Sequence, residues 1–272
     1  MNRRFVGTTA WTAGAWLAGL LFFVPVLWMV LTGFKREADA ASNPPTWFFK
    51  PTLDGYRQVF DRDITPYLLN SLMAAVFSTL LVLLLATPAA YALSLRPVDK
   101  WRDVLFFFIS TKMLPAVAAL LPIYLVVKQL GMLDNIWTMV VLYCSMNLPL
   151  AVWMMRSFLL EVPRSVIEAA ALDGAGVVSV IRRVLLPIVS PGLAATALIC
   201  FIFSWNEFFF SVNLTATTAG TGPIFLVGFV SSEGLFLARL CAAATLLSLP
   251  VVLAGWLAQN KLVRGLTMGA VK

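Results

Sequence analysis

The segment Glu168-Ala169-Ala170-Ala171-Leu172-Asp173-Gly174, followed after nine residues by Val184-Leu185-Leu186-Pro187, is a polar helix-former inside an otherwise apolar chain. Pro163 suits the first turn of a helix, where a missing N–H costs nothing. Ser165 and Glu168 stand at capping-box spacing, so the helix starts at one point or the other. Val166, Ile167 and Ala170 share one face and leave Arg164, Glu168 and Asp173 in more polar positions. Gly174 can adopt the left-handed conformation that ends a helix. A second helical piece, from Val177 to Leu186, is expected to stop at Pro187 and Pro191. The spacing therefore predicts a short helix, a sharp turn, a second helix and a return to apolar sequence.

What surrounds this segment decides the fold class. With 60% hydrophobic and 12% charged residues, the 272-residue chain is no ordinary soluble domain, since those carry about 25% charged residues. The apolar residues fall into six blocks of about the 20 residues that cross a bilayer as a helix. They lie near 13–33, 71–93, 104–127, 136–158, 192–212 and 238–258 within a single domain, 1–272. The first block exceeds the 7–15 residues of a cleavable signal core, and Lys35, Arg36 and Glu37 follow it, so it reads as a retained span. With the N-terminus inside, twelve Lys and Arg residues fall in cytoplasmic segments and six outside. That asymmetry places both termini and the Glu168 segment in the cytoplasm. The stretch from Arg156 to Ser190, with its loop proper at about 159–190, far exceeds the usual 2–8-residue helix connection. Such a segment serves either to dock into a groove on a partner or to rest on lipid headgroups.

Several chemistries are excluded or left without support. The absence of histidine removes Ser-His-Asp, Cys-His and His-dependent zinc sites. No catalytic residue and no metal site is expected, and the chain reads as no enzyme. Cys144, Cys200 and Cys241 fall inside spans without paired spacing and read as small packing residues. The excess of cations belongs to membrane topology, so no nucleic-acid partner is expected. No Gly-Lys dipeptide, and hence no Walker A loop, is present, so any ATP is bound by another chain.

Polar residues within the spans are the remaining candidates. Lys112 lies about nine residues into the third span, roughly 13 Å at 1.5 Å per residue. Asn206 and Glu207 lie in the fifth. Intramembrane charges are costly and face cavities or partners. These three either line a solute pathway or serve structure, for instance as a Lys112–Glu207 pair or a snorkelling Lys112. Pro115 and Pro122, seven residues apart on one face of the third span, either kink it or shape a pathway. A self-sufficient secondary transporter or channel for a small polar solute is the competing class. Such proteins show internal repeats, which are not evident here, and dependence on ATP and partner chains discriminates the two.

The Glu-Ala-Ala, Gly174 and Leu-Pro pattern resembles the cytoplasmic coupling loop of binding-protein-dependent ABC importer permeases. Ser204-Trp205-Asn206-Glu207-Phe208 and the tail Lys261–Lys272 resemble motifs of the carbohydrate-uptake, maltose-type branch, so the likeness runs over nearly the whole chain. Met268 departs from the alanine that is frequent there. Phe106-Phe107-Phe108-Ile109-Ser110-Thr111-Lys112-Met113-Leu114-Pro115 looks most like the sorbitol/mannitol permeases. The resemblance implies an all-α polytopic type I importer permease with six transmembrane helices and a cytoplasmic coupling helix, in the bacterial inner membrane. It implies a heterodimer with a second permease, two ATPase subunits carrying ATP and Mg²⁺, and an extracytoplasmic solute-binding protein. ATPase coupling would fall to Glu168, Ala169, Ala170, Asp173, Gly174 and Pro187. The loop from about Asn213 to Leu237 would reach the binding protein, and its Thr/Gly-rich start, Thr215 to Gly222, reads as mobile.

Overall fold

Long uncharged runs entering lipid must pair their own backbone groups, and a helix does so within one segment. The computed structural model describes residues 2–95, 99–231 and 234–270, and side chains within 11–95, 99–230 and 236–259. Its elements are α1 (Asn2–Gly33), α2 (Glu37–Ala40), α3 (Asp54–Asp61), α4 (Thr65–Ser94), α5 (Trp101–Met113), α6 (Ala116–Gln129), α7 (Ile136–Leu160) and α8 (Arg164–Leu172). Next comes a composite helix: α9 (Val177–Ser179), a π-helical turn (Val180–Leu185) and α10 (Leu186–Ile188). Then follow α11 (Ser190–Trp205), α12 (Phe209–Leu214), α13 (Gly222–Val227), β1 (Val230–Ser231), β2 (Gly234–Leu235) and α14 (Leu237–Ala270). The two short strands pair antiparallel, Val230 opposite Leu235. The tail motif 261–272 and the termini's Arg3 and Arg4 lie outside the described side chains.

Among the described residues four helices (α1, α4, α7 and α14) are long and apolar enough to cross a membrane, and six spans result if each of two bent pairs counts as one. The expected third span, 104–127, is one of those pairs: α5 and α6 meet at 91°. Leu114 and Pro115 are both extended there, with ψ of 123° and 129°. Pro115 supplies no N–H and bars α geometry from the residue before it. Pro115 therefore caps α6 while Pro122 lies inside it, so the third span is not one straight helix. The fifth span, expected over 192–212, likewise ends at Trp205 and restarts as α12 at Phe209.

A second correction concerns Pro187. It does not stop the second helical piece, which runs on to Ile188 and bends by 84° into α11. The π-helical turn before it explains the tolerance. An inserted residue widens the turn and places Pro187 at the start of a fresh α turn, where its ring and missing N–H cost little. The break falls at Val189 instead, with Pro191 in the first turn of α11.

The chain forms two compact units, residues 1–65 with 225–249, and 66–224 with 250–272. In the first, Lys35 is buried, donating to the Thr46 carbonyl at 2.7 Å with its ammonium 3.9 Å from the Trp28 ring centre. Glu37 accepts from the Ala238 N–H at 2.9 Å, and its carboxylate stands 3.7 Å from the Arg239 guanidinium. In the second, α4, α7 and α11 pack through small residues, among them Ala86, Ala151, Cys144 and Cys200. A buried polar seam joins these helices: the Ser204 hydroxyl lies 3.0 Å from that of Ser78 and accepts from the Asn147 amide at 3.0 Å. Cross-helix bonds of this kind act as glue where burial alone gives helices no reason to associate.

Candidate functional site

The polar segment quoted first is built as a small rigid platform. Val166, Ile167 and Ala170 turn inward from α8 into a cluster with Met155, Phe158 and Leu159 of α7, Ala90 and Tyr91 of α4 and Leu95 just past its end. Val180, Leu185 and Val189 complete the same cluster from the following helix. Ala170, a small side chain on the inward face of α8, is 8% exposed. Glu168, Ala169, Asp173, Gly174 and Pro187 all face outward.

The end of α8 is locked by its own backbone. Gly174 has φ +76°, Ala175 N–H donates to the Ala170 carbonyl at 3.0 Å, and Gly174 N–H donates to that of Ala171 at 3.0 Å. This pair of bonds is the Schellman ending that glycine makes possible. A Cβ added at Gly174 would meet nothing within 4 Å, so its requirement is conformational and not one of space. Beside it Leu172 is 89% exposed and Val178 78%. Those outward apolar side chains escaped the sequence reading, because helical spacing alone does not say which side the rest of the protein occupies. The end of α8 thus presents acidic and apolar side chains together on an exposed surface.

Of the three pathway candidates, Lys112 is the one placed at a described cavity. Lys112, on the last turn of α5, lines a space of about 640 Å³ with Phe107, Phe108, Thr111, Ser145 and Phe210. Asn206 instead donates to the Ile202 carbonyl at 2.9 Å and closes α11. Glu207 is buried and accepts from the N–H groups of Phe210 at 2.8 Å and Ser211 at 3.2 Å, capping α12. Among the described residues the ion pair is Arg239–Glu37, so no Lys112–Glu207 pair forms. The sequence grouped these residues by span and depth; in the structure Lys112 lines the cavity while Asn206 and Glu207 serve the helix ends of α11 and α12.

The Thr/Gly-rich stretch is not the mobile loop expected. Asp134, in the turn before α7, accepts from the backbone N–H groups of Ala216, Thr217, Thr218 and Ala219 at 2.9–3.2 Å. It also accepts from the Thr217 hydroxyl at 3.1 Å, and its own carbonyl accepts from that of Thr218 at 2.9 Å. Asn70 donates to the carbonyls of Thr218 and Gly220, and Ser71 accepts from Gly222 N–H. Burial works to raise the Asp134 pKa, but the N–H groups of Ala216, Ala219, Thr218 and Thr217 override it and hold the carboxyl well below the usual range. The sequence signalled only a turn here, since the acceptor and its donors stand about eighty positions apart.

The sequence matches the family described as binding-protein-dependent transport system inner membrane component over residues 83–266. The probable ABC transporter permease protein y4oR of Sinorhizobium fredii is 36% identical to it over 263 residues, covering 96% of this chain and 95% of that protein. The diacetylchitobiose uptake system permease protein DasC of Streptomyces coelicolor is 32% identical over 96% of this chain and 95% of its own. In fold the chain is similar to one from a crystal structure of a bacterial ABC transporter involved in the import of the acidic polysaccharide alginate. That match has a TM-score of 0.73 and 22% identity, covering 95% of this chain and 96% of that one.

Proposed function

This chain belongs to the family of binding-protein-dependent transport system inner membrane components, and on that premise we propose that it is the permease of an importer for a carbohydrate or polyol. It is a multi-pass membrane protein and a transport component, not an enzyme. The partners we assign are a second permease, two ATPase subunits holding ATP and Mg²⁺, and an external solute-binding protein. Both termini and α8 are assigned to the cytoplasm from the distribution of Lys and Arg. The carbohydrate class is supported by the names of DasC and of the alginate transporter. The narrower polyol class of the sorbitol and mannitol kind rests on the stretch Phe106–Pro115.

One observation carries the reading: α8 is an exposed helix end clamped onto the ends of α4 and α7. A push on α8 therefore moves two spanning helices as one body, which is the requirement for alternating access driven by rigid-body motion. Glu168, Ala169, Asp173 and Gly174 form the surface that would receive the push. A second permease has a ready counterpart in α1, whose side chains from Trp11 to Leu27 are all exposed in this chain.

The test is Gly174→Val, assayed in the complete transporter. Valine finds open space there but not the left-handed conformation, which costs an L-residue about 1–2 kcal/mol. We expect normal membrane insertion and continued ATP hydrolysis with uptake lost, whereas Gly174→Asn, which tolerates that conformation, retains uptake. Undiminished uptake by the valine variant would remove the coupling assignment. Competition of uptake by sorbitol, mannitol and disaccharides then decides the solute class.

A further inference from the structure

The turn at Ala216-Thr217-Thr218 is exposed, yet it is among the most tightly fastened pieces of backbone in the molecule. Ala219, Gly220 and Thr221 beside it are buried. Four N–H groups converge on the Asp134 carboxylate, a nest that holds an anion by oriented backbone dipoles. Asp134 adopts φ +52° to reach them, and its own N–H donates to the Leu214 carbonyl at 2.9 Å. The hydroxyls of Thr217 and Thr218 are both spent inward on Asp134. The exposed turn Ala216-Thr217-Thr218 thus carries no charged side chain. That chemistry suits a protein surface and not anionic headgroups, which attract Lys and Arg.

The position of the clamp adds a second argument. Asp134 precedes the first residue of α7 and Asn70 lies near the start of α4, while the far ends of those two helices carry α8. The 25 residues of α7 separate the two sites by roughly 37 Å at 1.5 Å per residue. We propose that Asp134 is a positioning residue for docking of the external solute-binding protein. It presents Ala216-Thr217-Thr218 as a preformed contact tied to the same helices that bear the coupling platform. Preformation matters because a loop ordered in advance loses less entropy when it binds. This inference rests on the importer reading given above.

The experiment uses the complete reconstituted transporter and its solute-loaded binding protein, titrated while ATP hydrolysis is followed. For Asp134→Ala the half-saturating concentration of binding protein should rise about tenfold, with the rate at saturation falling less than about twofold. Asp134→Asn, which keeps one acceptor oxygen, should lie between the two. Ala216→Trp leaves every bond of the clamp and adds bulk to the exposed face, so it decides the matter if Asp134→Ala fails to assemble. It too should raise the half-saturating concentration. An unchanged half-saturating concentration overturns the proposal, as does a loss of yield and saturating rate alone. A wild-type complex that no binding protein stimulates overturns the importer reading itself.

Discussion

Gly192 shows what a single missing methyl does for the packing of this chain. A Cβ built there would stand 2.2 Å from the ring of Phe158, well inside contact distance. The glycine lets α11 leave its bend directly against the end of α7, within two residues of Pro191. Gly192→Ala should destabilise the protein by about 1–3 kcal/mol, the usual cost of forcing extra volume into a packed site. Thermal unfolding in detergent measures this, and a second change, Phe158→Leu, should recover part of the loss. An alanine variant as stable as the parent would mean that Phe158 turns aside freely. Gly174 is the opposite case, in which space is ample and only the backbone angle matters. The sequence announced Gly174 through its place after a helical stretch. It gave no sign of Gly192, because the ring that excludes a side chain is 34 positions away.

Among elements, α8 and the two bent pairs carry the functional argument. The inward face of α8 was legible because Val166, Ile167 and Ala170 recur at helical spacing. The outward apolar residues were not, since helical spacing does not say that Leu172 stands on the exposed side. Leu172→Ala should leave stability within about 0.5 kcal/mol, as expected of an exposed site. It should nonetheless weaken association with the ATPase subunits by about tenfold, since burying a leucine contributes about 1.5–3 kcal/mol. Co-purification at graded detergent and salt concentrations reads both effects; undisturbed association would move the docking surface off the end of α8. The bends at Pro115 and at Val189 follow from proline chemistry that the sequence contains, but their size does not. A proline in an apolar run kinks, interrupts or merely decorates a helix according to what satisfies the freed carbonyls. The π-helical turn ahead of Pro187 is one such local answer.

For the whole molecule, the assigned orientation makes a prediction of its own. The clamp at Thr217 and the platform at Leu172 cap opposite ends of α4 and α7. In a background freed of Cys144, Cys200 and Cys241, Thr217→Cys should react with an impermeant thiol reagent from outside intact cells and Leu172→Cys only after lysis. Reaction of both from one side would contradict the assigned topology. The sequence alone determined the class of protein: apolar blocks of about 20 residues and a helix-glycine platform are local quantities, and the bias of cations is a count along the chain that needs no tertiary contact. The all-α type I importer permease fold that the family resemblance implied is the one found. Tertiary structure decided what depends on distant residues meeting. It put Lys112 at a cavity, turned Glu207 into a cap for α12 and fastened a stretch that composition marked as loose to Asp134. Such outcomes lie beyond sequence because a carboxylate binds whichever donors the fold brings within 3 Å, and spacing along the chain does not state that distance.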